Sequence, residues 1–140
     1  TNRYSDLDMT NSGLLVAVLG SGQSKGPVFR SKDGNNWTDI TPTDFPTDYK
    51  RIVVDISESN DSIAYVLITN NDGHNFLKYT YSKPDSIGVI GSWDDRSSNL
   101  PSDFNSQGGY DLHVRVSPSD ENFIFFGGTN LYYSTDGMNT

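Results

Sequence analysis

The sequence contains no cysteine and no long apolar run. The lack of cysteine excludes disulfide bonds, thiol catalysis and cysteine-based metal sites. No apolar stretch approaches the roughly 20 residues that a membrane-spanning helix needs, so we predict no membrane span.

Basic residues and glutamate are also scarce. The chain has 10 Lys and Arg against 18 Asp and Glu, and its formal net charge is −8. Because proteins that bind nucleic acids present clustered basic side chains to the phosphates, we predict no nucleic-acid partner. Only two of the acidic residues are Glu; the others are Asp, which favours turns over helix interiors. With 13 Gly and no segment of helical period, the sequence predicts an all-β protein.

Two stretches share the pattern aromatic, any residue, Ser, any residue, Asp, Gly. The patterned positions are Ser31, Asp33 and Gly34 with Trp37 after them in the first copy, and Ser134, Asp136 and Gly137 in the second. An Asp-Gly pair after an alternating apolar run predicts a hairpin in which Gly takes a positive φ and Asp accepts backbone N–H bonds. Trp37 would bury its ring beneath the first turn. These residue types predict a structural role rather than ligand binding.

This pattern resembles the Asp-box of BNR-type β-propellers, whose usual form is similar to S-x-D-x-G-x-T-W. In the first copy the Trp comes one place early, and the second copy reaches Thr140, after which the Trp would come next. The resemblance implies a fold-stabilising turn on the outer part of each propeller blade, away from the axial site where such proteins bind or react.

An internal repeat supports the same interpretation. Residues 6–16, 55–65 and 115–125 align without gaps, and each contains a strand end, a polar turn and the start of an apolar strand. The resemblance implies that each repeat begins a four-stranded antiparallel blade. The blades would cover about residues 4–41, 50–96 and 111–140. We therefore expect one partial β-propeller over residues 1–140, an incomplete ring with a truncated third blade and its other blades in a longer chain. A small open β-sandwich is the alternative.

The second blade differs from the other two. Residues 63–69 are nearly all apolar, which predicts a strand buried on both faces between stacked blades. Residues 70–75 read as a hairpin loop, and residues 89–94 as the outer strand. Residues 82–88 replace the Asp-box with a longer excursion.

No coherent catalytic set emerges from the sequence. The superfamily includes sialidases, xyloglucanase-type glycoside hydrolases and sortilin-like receptors. A sialidase needs three Arg to clamp the substrate carboxylate, and no Arg here lies in the phrase typical of that family. An endo-glucanase needs two carboxylates beside a cleft. Asp55 and Asp111 are candidates, but most of the Asp residues read as turn residues, so we assign no catalytic residue.

Three other features of the sequence contain residue types that can bind ligands or metals. Trp93, Asp94 and Asp95 form a possible glycan contact, and the simpler interpretation is an aromatic that packs on its blade. The oxygen-rich loop 70–75 could bind Ca²⁺, but it lacks the regular ligand spacing of a known loop. His74 and His113 give no metal signal. We predict no metal and no cofactor.

The resulting hypothesis is a binding or scaffold module of an exported or cell-surface protein. Its ligand would be a protein or a glycan, met on the face formed by the loops that cross from one blade to the next. The alternative is part of a glycoside hydrolase, xyloglucanase-like or sialidase-like, with catalytic residues partly outside this chain. An intracellular assembly factor is a third class.

Overall fold

A computed structural model describes residues 5–20, 27–81 and 91–140 of the chain. These residues form eleven strands in three antiparallel sheets, with two short 3-10 helices, Ser97–Asn99 and Gln107–Gly109. The predicted all-β class is therefore confirmed. The described residues form no closed barrel or ring, and none of their helices is long and apolar enough to cross a membrane.

Each sheet is a meander in which strands pair in chain order. Sheet 1 contains β1 (Asp6–Met9), β2 (Leu15–Val18), β3 (Val28–Ser31) and β4 (Trp37–Asp39). Sheet 2 contains β5 (Arg51–Ile56), β6 (Ile63–Thr69), β7 (His74–Thr80) and β8 (Ser92–Asp95). Sheet 3 contains β9 (His113–Ser117), β10 (Asp120–Gly127) and β11 (Leu131–Ser134). The three sheets lie within the three segments that the repeat predicts.

Sheet 2 lies between the other two sheets and carries both cores. Every residue of β6 is buried, which confirms the prediction of a strand covered on both faces. Ala64, Val66 and Ile68 belong to the core shared with sheet 1. Tyr65 and Leu67 point the other way and pack with Phe126 of sheet 3. Each fully buried aliphatic or aromatic side chain contributes about 1.5–3 kcal/mol, so these faces hold the sheets together.

Carboxylates also join the first strands of successive sheets. The backbone N–H of Ile56 donates to Asp8 at 2.7 Å, and the N–H of Val116 donates to Asp55 at 2.6 Å. The N–H of Val54 donates to Asp6 at 3.1 Å. A first strand has a neighbour on one side only, so the N–H groups along its other edge need such partners.

The strand register corrects the ungapped alignment, which places Asp6 opposite Asp55. In the sheets, Asp8 pairs with Val16 as Asp55 pairs with Tyr65. Because Val16 and Tyr65 are aligned, Asp8 is the residue equivalent to Asp55. The chain from Asp8 to its partner Val16 is therefore two residues shorter than the chain from Asp55 to its partner Tyr65, so the turn between β1 and β2 is shorter than the turn between β5 and β6.

Several predicted boundaries are wrong by one to three residues. The loop expected over residues 70–75 is shorter, since β7 begins at His74. β10 begins at Asp120, three residues before residue 123, where the apolar run of the third repeat starts and predicts the strand, and its pairing with β9 shifts register between Asp120 and Ile124. The excursion over residues 82–88 and the first two residues of the outer strand predicted over 89–94 lie outside the described residues.

Candidate functional site

Two clefts lie where the crossing loops meet the first strands of the sheets. One, of about 250 Å³, runs along the first strands and includes Asp6, His113 and Arg115. The other, of about 320 Å³, is lined by Lys50 and by residues 107–110. Arg51 lines both clefts. We call this pair the crossing-loop site, and it combines basic, acidic and aromatic groups within one surface.

A buried serine anchors the loop that borders the second cleft. Ser106 is fully buried, and its Oγ lies 2.8 Å from both Thr69 Oγ1 and His74 Nε2. It also accepts the N–H of Gly109 at 3.1 Å. The His74 ring packs edge-on against Phe104 at 4.7 Å, and burial lowers the pKa of His74, which keeps the imidazole neutral at pH 7. This Ser–His pair is a clamp rather than a nucleophile, because the hydroxyl is closed off from solvent.

The backbone of the same loop takes an unusual path. Gln107, Gly108 and Gly109 have φ of 48°, 70° and 95°, three consecutive residues in the left-handed region. That region costs roughly 1–2 kcal/mol for a residue with a side chain, so Gln107 is strained. A Cβ on Gly109 would lie 3.0 Å from Arg51 Cβ, which leaves glycine as the residue that fits. Strain of this kind accumulates where a loop must present a particular group.

The group presented is Tyr110, whose side chain is 79% exposed. The Arg51 guanidinium donates to the carbonyl oxygens of Gly109 at 3.0 Å and Tyr110 at 2.8 Å. The backbone beneath Tyr110 is therefore held although its ring stands in solvent beside the second cleft. An exposed aromatic ring on a held backbone is suited to stacking against a ligand.

An ion pair joins the first strands of sheets 2 and 3 beside the first cleft. Asp55 is 6% exposed and pairs with Arg115, whose side chain is 70% exposed. Burial, helped by the nearby Asp8 carboxylate, raises the pKa of Asp55 to about 6, although hydrogen bonds from Val116 and Arg115 act against this rise. The pKa of Arg115 is raised by its bond to Asp55. Arg115 thus faces the first cleft as a permanent cation.

The first predicted turn is closed by its own side chains. Asp33 Oδ1 accepts the N–H groups of Asn35 at 2.9 Å and Asn36 at 2.8 Å, and Ser31 Oγ accepts the N–H of Gly34 at 2.9 Å. These bonds hold the pKa of Asp33 well below its usual range, the bonds from Asn36 having the largest effect. Gly34 has φ of 73°.

Trp37 differs from its prediction. The ring is 40% exposed rather than buried, and its Nε1 donates to the Gly34 carbonyl oxygen at 3.0 Å. Its position on the outward face of sheet 1, in one row with Met9 and Leu15, explains this exposure.

In the second predicted turn, the Ser hydroxyl accepts an N–H four residues later, whereas in the first turn it accepts one three residues later. Ser134 Oγ accepts from Met138 at 2.9 Å, where the first turn uses Gly34, and Met138 has φ of 63°. Asp136 bonds Ser134 and Thr140, and these bonds, led by that from Thr140, lower its pKa to about 2. Gly137 has φ of 72°. The two copies are therefore similar in sequence, but the hydrogen-bonded turn that the Ser closes is one residue longer in the second copy.

The residues predicted as a possible glycan contact are separated by the strand. Trp93 donates from Nε1 to the Ile40 carbonyl oxygen at 2.6 Å and packs on Tyr79 at 4.7 Å. Asp94 lies on the opposite face and pairs with Arg96 at 2.8 Å. Asp95 lies on the face of Trp93, and both line a groove of about 80 Å³ beside residues 42–46. Glycan contact at this groove stays a prediction.

The oxygen-rich loop at residues 70–75 bonds to its own backbone. Asn70 Oδ1 accepts the N–H groups of Asp72 at 2.9 Å and Gly73 at 2.6 Å, so its oxygen closes the loop. Across residues 5–20, 27–81 and 91–140, no group of three or more His, Asp or Glu could hold a metal ion. Asp55 and Asp111 are not among the residues that line the crossing-loop site.

Sequence reasoning missed Tyr110 and the clamp around Ser106. The available signal was the Gly108–Gly109 pair within the second crossing loop, since adjacent glycines indicate backbone that other residues cannot adopt. No protein-family model, curated protein or solved structure matches the chain.

Proposed function

We propose that the chain is part of a BNR-type β-propeller and serves as a binding or scaffold module of an exported or cell-surface protein. The stacking of three meander sheets in chain order supports this arrangement, with β5 placed between β1 and β9. The repeated bond from a carboxylate of one first strand to a backbone N–H of the next supports it further. The two Asp-Gly turns correspond to the Asp-boxes of such blades.

The proposed ligand is a glycan, bound at the crossing-loop site. The observation that carries this proposal is Tyr110, exposed on a backbone fixed by Arg51 between two clefts. A sugar ring offers an apolar face to an aromatic ring and hydroxyl groups to Asp6, Arg115 and similar side chains. Clefts of a few hundred Å³ are of the size that holds small ligands. A protein ligand is the alternative for the same surface.

A glycan array tests the proposal directly. The wild-type chain is expected to bind a defined set of printed oligosaccharides, and Tyr110→Ala to lose about tenfold or more in affinity, equivalent to roughly 1.4 kcal/mol. Tyr133→Ala is the matched control, because Tyr133 is also exposed but lies on sheet 3 outside both clefts. Absence of glycan binding, or equal binding by Tyr110→Ala, would refute the glycan proposal.

A glycoside hydrolase is the second candidate, and one observation favours it. A carboxyl whose pKa is raised to about 6 can act as a general acid near neutral pH, and Asp55 has this property. Its hydrogen bonds to Arg115 and Val116 and its burial favour a structural role. Release of reducing sugar that is abolished by Asp55→Asn would support the hydrolase; binding without release would support the binding module.

A further inference from the structure

The second cleft of the crossing-loop site is basic, although the chain as a whole is acidic. Lys50 and Arg51 line this cleft of about 320 Å³ together with residues 107–110, and none of these described lining residues is acidic. The chain carries 10 Lys and Arg against 18 Asp and Glu, so two adjacent cations in one cleft run against its composition. A cleft that is lined by charge of one sign attracts ligands of the opposite sign.

The loop beside the cleft fixes the position of the Arg51 charge. The Nη1 atom of Arg51 donates to the carbonyl oxygens of Gly109 at 3.0 Å and Tyr110 at 2.8 Å. These two acceptors are uncharged, so the bonds position the cation without neutralising it. The guanidinium has five N–H donors, and both bonds use the same nitrogen. The positive charge of Arg51 therefore lies directly against the backbone that carries the exposed Tyr110 ring.

Lys50 adds a second cation at the start of the same strand. Its backbone N–H donates to the Thr69 carbonyl oxygen at 2.7 Å, which extends the pairing of β5 with β6 by one residue. The backbone of Lys50 is thereby held, while the residue itself is exposed. An ammonium group on a flexible stem can adjust to the position of an anionic group on a ligand.

Lys50 and Tyr110 occupy equivalent positions on successive sheets. Arg115 of β9 is equivalent to Asp55 of β5, because the two residues have aligned partners in the next strand. Lys50 precedes Asp55 by five residues, as Tyr110 precedes Arg115. Lys50 is exposed although sheet 3 follows sheet 2, so a following sheet does not cover this position.

We infer that the glycan bound at the crossing-loop site is acidic, with a carboxylate or a sulfate ester on the sugar that contacts Tyr110. The sugar ring would stack on Tyr110, and its anionic group would bind Lys50 and Arg51 through charge-assisted hydrogen bonds. This inference rests on the proposed function and names the class of glycan. The cleft does not contain the three Arg that a sialidase uses to clamp a carboxylate, so the inference concerns binding and not hydrolysis.

An acidic peptide is the other ligand that two cations could attract. A peptide carboxylate would bind Lys50 and Arg51 but would make no use of the Tyr110 ring, which is 79% exposed. A sugar uses both parts of the site, because it presents a ring face and an anionic group together. Sensitivity to Tyr110→Ala therefore separates a glycan from an acidic peptide.

Isothermal titration calorimetry of the full 140-residue chain with three probes tests the inference. The probes are a tetrasaccharide of galacturonic acid, the same tetrasaccharide with its carboxyls reduced to alcohols, and a sulfated galactose tetrasaccharide. We expect at least one charged probe to bind about tenfold more tightly than the reduced one, since charge-assisted hydrogen bonds are about twice as strong as neutral ones. The charged probe that binds more tightly identifies the anionic group as a carboxylate or a sulfate.

Two variants assign the effect to this cleft. Lys50→Gln is expected to weaken binding of the charged probe about fivefold and to leave the reduced probe unaffected, whereas Lys50→Arg should keep the affinity of the wild type. Lys32→Gln is the matched control, because it removes one positive charge at an exposed position outside both clefts. Equal binding of the charged probe by Lys50→Gln and the wild type would overturn the inference.

The remaining outcomes separate this inference from the proposed function. Equal affinity for the charged and reduced tetrasaccharides, with both weakened by Tyr110→Ala, would overturn the acidic sugar and leave the glycan site standing. Tighter binding of an oligoaspartate peptide, unaffected by Tyr110→Ala, would overturn it in favour of an acidic peptide. Failure of all three probes to bind would also overturn it, and the glycan array then shows whether the proposed function fails as well.

Discussion

The Asp55 carboxylate in sheet 2 accepts the backbone N–H of Val116 in sheet 3 at 2.6 Å. Asp8 makes the equivalent bond to Ile56 at 2.7 Å, so the same device joins sheets 1 and 2. The sheets share no strand pairing, and these bonds satisfy N–H groups that a first strand would otherwise leave without a partner.

Removal of one such carboxylate should weaken the stack. Asp8→Ala leaves the Ile56 N–H without its acceptor, and we expect a loss of about 1 kcal/mol in the free energy of unfolding. Urea denaturation at pH 7 measures this change. Asp48→Ala, at an exposed loop position, is the control and should stay within about 0.5 kcal/mol of the wild type. Equal stability of the two variants would show that the bond contributes nothing.

Asp55 should make stability depend on pH in a defined window. Its pKa is about 6 in the folded state and 3.8 in the unfolded chain, so the folded state binds this proton more tightly. The stability that Asp55 contributes is therefore complete below about pH 4 and declines as pH rises through about 6. The pKa of Asp136 is lowered to about 2, so its own contribution is lost only at lower pH.

Urea denaturation of the wild type and of Asp55→Asn at several pH values measures this effect. The stability of the wild type relative to the variant should decrease between about pH 4 and pH 7, because Asn cannot titrate. Subtracting the free energy of unfolding of the variant from that of the wild type cancels the contribution of the other titrating groups. A relative stability that increases over the same range would show that the pKa of folded Asp55 lies below its unfolded value. The hydrogen bonds from Arg115 and Val116 would then outweigh the effect of burial.

Gly34 should tolerate substitution only by residues that accept a left-handed backbone. Its φ is 73°, and the nearest atom to an added Cβ, on Leu15, is 3.8 Å away, so strain and not crowding limits this position. Gly34→Ala is expected to lower the free energy of unfolding by about 1–2 kcal/mol. Gly34→Asn should cost less, since Asn adopts this region more readily. Equal losses in thermal or urea denaturation would contradict this explanation.

The Ser106 clamp should control both stability and the mobility of Tyr110. Ser106→Ala removes the hydroxyl that bonds Thr69 and His74, and we expect a loss of about 1–3 kcal/mol; the Gly109 N–H keeps its bond to the Ser106 carbonyl oxygen at 2.9 Å. Amide hydrogen exchange at residues 109–111 should accelerate more than exchange in β6. Ser102→Ala, at an exposed position of the same connection, is the control. Unchanged exchange would mean that Arg51 and the backbone bonds to the Ser106 carbonyl oxygen hold the loop without the hydroxyl.

The sequence allowed the strands to be predicted but not the contacts between sheets. Alternating and continuous apolar runs indicate strands directly, and the nearly all-apolar run in β6 indicated burial on both faces. The equivalence of Asp8 and Asp55 depends on the length of a turn, which an ungapped alignment cannot measure. Met138 shows the same limit, because it is a second left-handed residue directly after Gly137, and the pattern that the two turns share does not indicate it.

The candidate site depended even more on tertiary contacts. Nothing in the residues near Tyr110 indicates that Arg51, which is distant in sequence, would hold its backbone. Trp93 beside two carboxylates suggested a possible glycan contact, although packing on the blade was the simpler interpretation. The alternation of side chains along β8 places Asp94 on the face opposite Trp93, which the strand predicted over residues 89–94 already implied.

Amide NMR spectra during titration with the array's best-binding oligosaccharide test the central claim most directly. We predict that the shifted resonances cluster at residues 107–110, with Lys50, Arg51 and His113 beside them. Shifts confined to residues 42–46 and 93–95 would place the ligand in the groove beside Trp93 instead. That result, or a spectrum that the oligosaccharide leaves unchanged, would contradict ligand binding at the crossing-loop site.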